Sequence, residues 1–150
     1  MPRAVLEAQV AHLTLESRLG GYEAAEAAAP AIERSYTAIA ALLNCAPREI
    51  ALMENATLAW QMAFHGFPFE AGDRILTAEA EYASNYIAYL QMAARRGVRV
   101  DVVPSDEAGA LSLEALEAMI NERVKLIAVT HVPTNGGLVN PAAEIGRAHV

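Results

Sequence analysis

Apolar residues at the start of the chain, Val5, Leu6, Ala8, Val10, Leu13 and Leu15, recur at roughly helical spacing, and Gly20-Gly21 then breaks the run. A second helix is predicted to start near Pro30, a residue suited to a first turn, and to carry Ile32, Tyr36, Ile39, Leu42 and Leu43. From Pro47 the pattern becomes an alternation of strand and helix. Ile50 to Met53 is a short apolar run that predicts a strand. A helix follows from about Thr57 to His65, ended by Gly66. Ala71-Gly72-Asp73 is a turn, Arg74 to Thr77 a strand, and Ala83 to Arg96 a helix carrying Tyr86, Ile87, Tyr89 and Leu90. Val98, Val100 and Val102 alternate with Arg99 and Asp101, so that strand has one wet face and belongs at an edge. Ser112 caps a helix bearing Leu113, Leu116, Met119 and Ile120. Leu126 to Val129 is unbroken apolar sequence, which predicts a central parallel strand buried on both faces.

The pattern β-α-β-α-β-α-β describes an α/β fold, an open and mostly parallel sheet with helices on its faces, behind a helical segment at residues 1–45. Residues 46–150 form the α/β part. Ligands of such sheets bind at the carboxyl ends of the strands, so the residues to inspect follow Met53, Thr77 and Val129.

Composition narrows the function. With 54% hydrophobic and 19% charged residues the chain is globular, and a net charge of −7 with no basic cluster argues against a nucleic-acid partner. Arg95 and Arg96 precede Gly97, where two cations complement a helix carboxyl end. The single cysteine, Cys45, forms no internal disulfide and suits a cytoplasmic setting; beside Leu42 and Leu43 it reads as the buried end of a helix. Glu7, His12 and Glu16 interrupt any apolar signal core. The longest uncharged run, Leu126 to Ala143, holds too many prolines and glycines to cross a membrane. The four histidines show no close pairing, so no metal site is expected, and neither the dinucleotide glycine fingerprint nor a Walker-type loop occurs.

Three segments could carry chemistry. Glu54-Asn55-Ala56-Thr57 stands where a helix begins, and the free amides and dipole of a helix start suit a phosphate; equally, Asn55 or Thr57 caps the helix. Glu81-Tyr82-Ala83-Ser84-Asn85 follows a strand, and Tyr82 there either stacks on a flat ring or is a half-buried surface tyrosine. Thr130-His131-Val132-Pro133-Thr134-Asn135-Gly136-Gly137 makes a tight polar loop at the same sheet edge, with His131 functional or simply packed beside the core.

The order Asn55-Ala56-Thr57, then Glu81-Tyr82-x-x-Asn85, then Thr130-His131-Val132-x-Thr134-Asn135-x-Gly137-x-x-Asn140-Pro141 resembles the class V aminotransferases and cysteine desulfurases, pyridoxal-phosphate enzymes of fold type I. The resemblance runs from about Val5 to Gly146. It implies part of a three-layer α/β/α transferase domain, pyridoxal 5′-phosphate as cofactor, an amino acid as substrate and a homodimer with the active site at the subunit interface. It also implies that Ala56 and Thr57 bind the cofactor phosphate, that Tyr82 stacks on the pyridine ring and that Thr134 lies near the ring's phenolic oxygen. Cysteine desulfurases typically carry histidine in place of Tyr82 and asparagine in place of Thr134, and a phenol is the poorer proton carrier near neutral pH. Transaminase, lyase, desulfurase and isopenicillin N epimerase-like chemistry therefore all stay open, as does a non-catalytic interaction module.

The family's cofactor-linked lysine, commonly in a Ser-x-His-Lys context, and its acidic partner for the ring nitrogen lie on later strands. The only lysine here, Lys125, starts a strand and so stands at the opposite edge from the site. Asp73, Asp101 and Asp106 are no better placed, so no catalytic residue is expected within this sequence, which reads as an inactive fragment of a longer enzyme. Its last seven residues, Glu144 to Val150, are also what GAG ATC GGA AGA GCA CAC GTC encodes, a string that matches a widely used sequencing-library adapter. The expectation is that adapter sequence begins no later than Arg147, which amplification of the locus from source DNA would check.

Overall fold

The computed structural model describes residues 1–134 and 137–147, and it separates into two compact units, Met1–Leu52 and Met53–Val150. Asn135, Gly136 and the terminal Ala148, His149 and Val150 lie outside the described residues. In the first unit, α1 (Arg3–Leu19) and α2 (Gly21–Leu43) are separated by Gly20 alone, whose φ of 96° only glycine adopts without strain. The predicted start near Pro30 is therefore nine residues late: Pro30 sits inside α2. The alanine- and glutamate-rich stretch before it has high helix propensity, which outweighs the one donor that proline removes. Cys45, just past α2, is half-buried.

The second unit opens on α3 (Ala56–His65). It continues through β1 (Arg74–Ala78), α4 (Ala83–Arg96), β2 (Arg99–Val103), α5 (Leu113–Met119), β3 (Val124–Ala128) and α6 (Ala142–Arg147). The strands form a parallel sheet in the order β2-β1-β3, with Thr77 opposite Val102 on one side and Ala128 on the other. β2 lies at an edge as predicted, but its faces do not follow the expected alternation: Val102 is exposed, while Asp101 is partly buried by its ion pair with Arg74. β3 is not central among the described strands: β1 is, and four of its five residues are buried. An unbroken apolar run favours burial on two faces but does not say which neighbours complete the ladder, and of Leu126 to Val129 only Ala128 is fully buried here, the others being half-buried. The strand predicted at Ile50 to Met53 is absent from the described sheet, and Leu52 and Met53 are exposed. Four apolar residues without a paired neighbour gain nothing from extension.

The period-two alternation of β1 divides the core. Ile75 packs with Phe64 of α3, Ala88, Tyr89 and Met92 of α4, and Val98, whereas Leu76 and Ala78 pack with Val103, Leu111 and Leu116 of α5. Helices on both faces of a parallel sheet leave its carboxyl edge as the place where loops gather. Arg74, at the amino end of β1, is tied down by Asp101 at 2.7 Å and by the Met119 carbonyl at 2.9 Å. No helix is long and apolar enough to cross a membrane among the described residues.

Candidate functional site

Because β1 and β3 run parallel in register, the segments that leave them, Glu79 to Tyr82 and Thr130 to Thr134, emerge side by side. A single carboxylate joins them. Glu81 Oε1 accepts from the Tyr82 amide at 2.6 Å, from Asn85 Nδ2 at 3.2 Å and from the Thr130 hydroxyl. Its Oε2 accepts from the Thr77 hydroxyl at 3.1 Å and the Tyr89 hydroxyl at 3.3 Å. Thr77 and Tyr89 are fully buried, so both hydroxyls need this acceptor.

Asn140 makes the second brace. It is 1% exposed; its side-chain amide donates to the Thr130 carbonyl at 2.7 Å and its oxygen accepts from the Leu111 amide at 3.0 Å. Its own amide donates to the His131 carbonyl at 2.8 Å, which returns the loop to the end of β3. His131 itself is exposed, not packed beside the core.

Between the two braced segments lies a cleft of about 320 Å³ walled by Ala80, Glu81, Tyr82, Ala83, Pro133 and Thr134. Its size is in the small-molecule range of ~300–1,000 Å³. The Tyr82 side of the wall is half exposed, leaving its ring open to a ligand. The structure thus brings Tyr82 and Thr134 together. Ala56 and Thr57 are not among the described walls of that cleft; they form the first turn of α3, whose Trp60 meets Tyr89 of α4 edge-on at 6.1 Å. Asn55 is the cap of α3: its side chain accepts from the Leu58 amide at 2.9 Å. The amides of Ala56 and Thr57 come before the first intrahelical donor and point out of the helix end.

Burial holds the Tyr89 phenol above its ordinary range, and the Glu81 charge and hydrogen bond add to the effect. The unfolded chain ionises this phenol near pH ~10, so the folded state keeps a proton that the unfolded state releases above that pH. Stability should therefore be fully present below pH ~10 and fall as pH rises further. Tyr89→Phe is expected to flatten that alkaline decline in denaturant titrations; an unchanged slope would dissociate Tyr89 from it.

The roles of Glu81 and Asn140 are not evident from the sequence, although part of the signal is there. Glu81, Asn85 and Tyr89 repeat every four residues, the spacing of one helix face. Asn140 closes the motif that carries the family resemblance, but nothing local assigns it a bracing role, since its partners Thr130 and Leu111 lie 10 and 29 residues away. Among the described residues no group of three or more histidine, cysteine, aspartate or glutamate side chains could hold a metal ion.

Comparison with known proteins extends this picture. The family model Aminotransferase class-V matches residues 1–150. A probable cysteine desulfurase of Synechocystis is 31% identical over 97% of this chain and 36% of its own length. A probable cysteine desulfurase of Xylella fastidiosa is 35% identical over 85% of this chain and 30% of its own. The chain thus spans about a third of the curated relatives it matches. Among solved structures, a C-DES mutant with glycine covalently linked to its PLP cofactor superposes with a TM-score of 0.85 at 25% identity, covering 100% of this chain and 41% of that one. The apo cysteine desulfurase of Thermococcus onnurineus gives 0.74 at 25% identity, over 83% of this chain and 31% of that one. The sheet and its helices are part of a fold-type I transferase domain.

Proposed function

The chain belongs to the class V aminotransferase family, and we propose that it supplies the phosphate and ring subsites for pyridoxal 5′-phosphate in an enzyme that transforms an amino acid. In this reading residues 46–150 are the cofactor-binding part and residues 1–45 a helical segment. The observation that carries it is the cleft at the carboxyl edge of the sheet, where Tyr82 offers an open aromatic face opposite Thr134.

The donor set fits the group. Ala56 and Thr57 would hold the phosphate: two outward amides, the Thr57 hydroxyl and the positive end of the α3 dipole all favour an anion, and Asn55 caps the helix without blocking those amides. Ala56, with only a methyl group, leaves the backbone open to approach. Tyr82 would stack on the pyridine ring, and the Thr134 hydroxyl would hydrogen-bond the ring's phenolic oxygen. When bound, pyridoxal 5′-phosphate is an electron sink for bonds broken at the α-carbon of an amino acid. The residues of this chain bind and orient; none here is assigned the proton transfers.

Lys125 does not serve as the covalent anchor. It stands near the amino end of β3, about 17 Å of extended chain before Thr130 at the other end. The curated relatives named above are described as cysteine desulfurases, which supports cysteine as the substrate. Tyr82 and Thr134, where those enzymes typically have histidine and asparagine, leave transaminase, lyase and epimerase chemistry as the alternatives. A homodimer and a cytoplasmic setting complete the proposal.

Equilibrium binding tests the reading. Pyridoxal 5′-phosphate should bind about 100-fold more tightly than pyridoxal, since the phosphate makes the charge-assisted bonds. Borohydride reduction and peptide mapping should leave Lys125 without stoichiometric label. Equal affinity for the two compounds, or full labelling at Lys125, would overturn it.

A further inference from the structure

We propose that Glu81 is the positioning residue of the cleft, an inference that rests on the cofactor reading above only for the identity of the occupant. Both walls of the cleft are fastened to this one carboxylate. One wall, Ala80 to Ala83, is held through the Tyr82 amide and Asn85; the other, ending in Pro133 and Thr134, leaves β3 through Thr130, whose hydroxyl donates to Glu81 Oε1. The Thr77 and Tyr89 hydroxyls hold Oε2 against the sheet and α4.

All five partners are donors, and an ionised carboxylate is an acceptor with about four lone-pair sites. The match is chemical as well as spatial. Two of the three donors on Oε1, the Tyr82 amide N–H and the Asn85 side-chain NH2, only donate, so Oε1 must stay an acceptor. The two hydroxyls on Oε2 can rotate and accept. Glu81→Gln therefore keeps the fold if its NH2 turns toward Thr77 and Tyr89, whereas Glu81→Ala leaves two buried hydroxyls unpartnered. The pose of Tyr82 against Thr134 is thus set from Thr130, 48 residues further along the chain, through a side chain that itself only borders the cleft.

Thr130→Val tests this because it removes only the link between the walls and keeps the volume. In the ligand-free chain carrying 13C-labelled tyrosine, Thr130→Val should shift the Tyr82 ring signals, while those of Tyr22, which is 93% exposed in the other unit, stay in place. Thr130→Ser, which restores the hydroxyl, should restore the signals. Affinity for the non-covalent probe 4′-deoxypyridoxine 5′-phosphate should fall about tenfold in Thr130→Val and recover in Thr130→Ser. In a Glu81→Ala background Thr130→Val should add nothing; if that background does not fold, the Val and Ser variants decide alone. Unmoved Tyr82 signals in Thr130→Val would overturn the proposal, as would full additivity with Glu81→Ala. A Tyr82 shift in a chain that binds no probe would uphold the positioning role and remove the cofactor reading instead.

Discussion

Leu76→Ala is expected to destabilise the second unit by about 3.5 kcal/mol, the middle of the range for a leucine truncated in a closed core. Leu76 is fully buried in β1, the strand flanked by both others, with Asp101 and Ile127 opposite it. It packs with Ala78, Val103 and Leu116, fixed by sheet and helix backbone, and with Leu111, whose amide is held by Asn140, so the neighbours cannot readily collapse into the space left behind. Leu90→Ala is the matching control: the same atoms are lost from a side chain that is 50% exposed on α4, at an expected cost below ~1 kcal/mol. Denaturant unfolding of both variants checks the contrast. Equal losses would mean that the α5 face of the sheet is not a packed core.

Thr57→Glu is expected to abolish binding of pyridoxal 5′-phosphate, by on the order of 100-fold or more, without loss of fold. The logic rests on the helix dipole. A glutamate in the first turn of α3 is favourable for the helix, worth ~0.3–1 kcal/mol, because it faces the positive end. The same carboxylate occupies the position proposed for the phosphate and repels it. Stability and affinity should thus move in opposite directions, a combination that general damage to the protein does not produce. Isothermal titration beside thermal unfolding reads both quantities. Retained affinity in Thr57→Glu would place the phosphate elsewhere.

The sequence pattern is most reliable where one period runs uninterrupted. Ala83 to Arg96 shows its helix through Tyr86, Tyr89 and Leu90 and its end through Arg95-Arg96-Gly97, and α4 has those bounds, with Gly97 at a φ of 71°. The edge position of β2 is likewise legible from charged residues between valines, although Asp101 is partly buried against Arg74 and Val102 is exposed, so the wet face is not the one the alternation predicts. Failures fall where a local signal has two physical meanings. Pro30 reads as a helix start because proline suits a first turn, yet the Ala-rich chain before it is helical enough to carry it inside α2. Ile50 to Met53 has strand composition, but composition cannot provide a ladder partner.

For the site, strand ends point only to the segments that hold Tyr82 and Thr134; the two residues themselves stand out through the family resemblance, and parallel pairing of β1 and β3 brings their segments together. Glu81 and Asn140 carry more of the geometry and are harder to see. Their importance lies in bonds between segments that a linear reading has no means to pair.

A crystal structure of the chain with 4′-deoxypyridoxine 5′-phosphate tests the central claim most directly. The account predicts the ring stacked on Tyr82 with its phenolic oxygen at Thr134, and phosphate oxygens ~2.7–3.0 Å from the amides of Ala56 and Thr57. A phosphate bound away from the start of α3, or a ring outside the cleft between Tyr82 and Thr134, would contradict it.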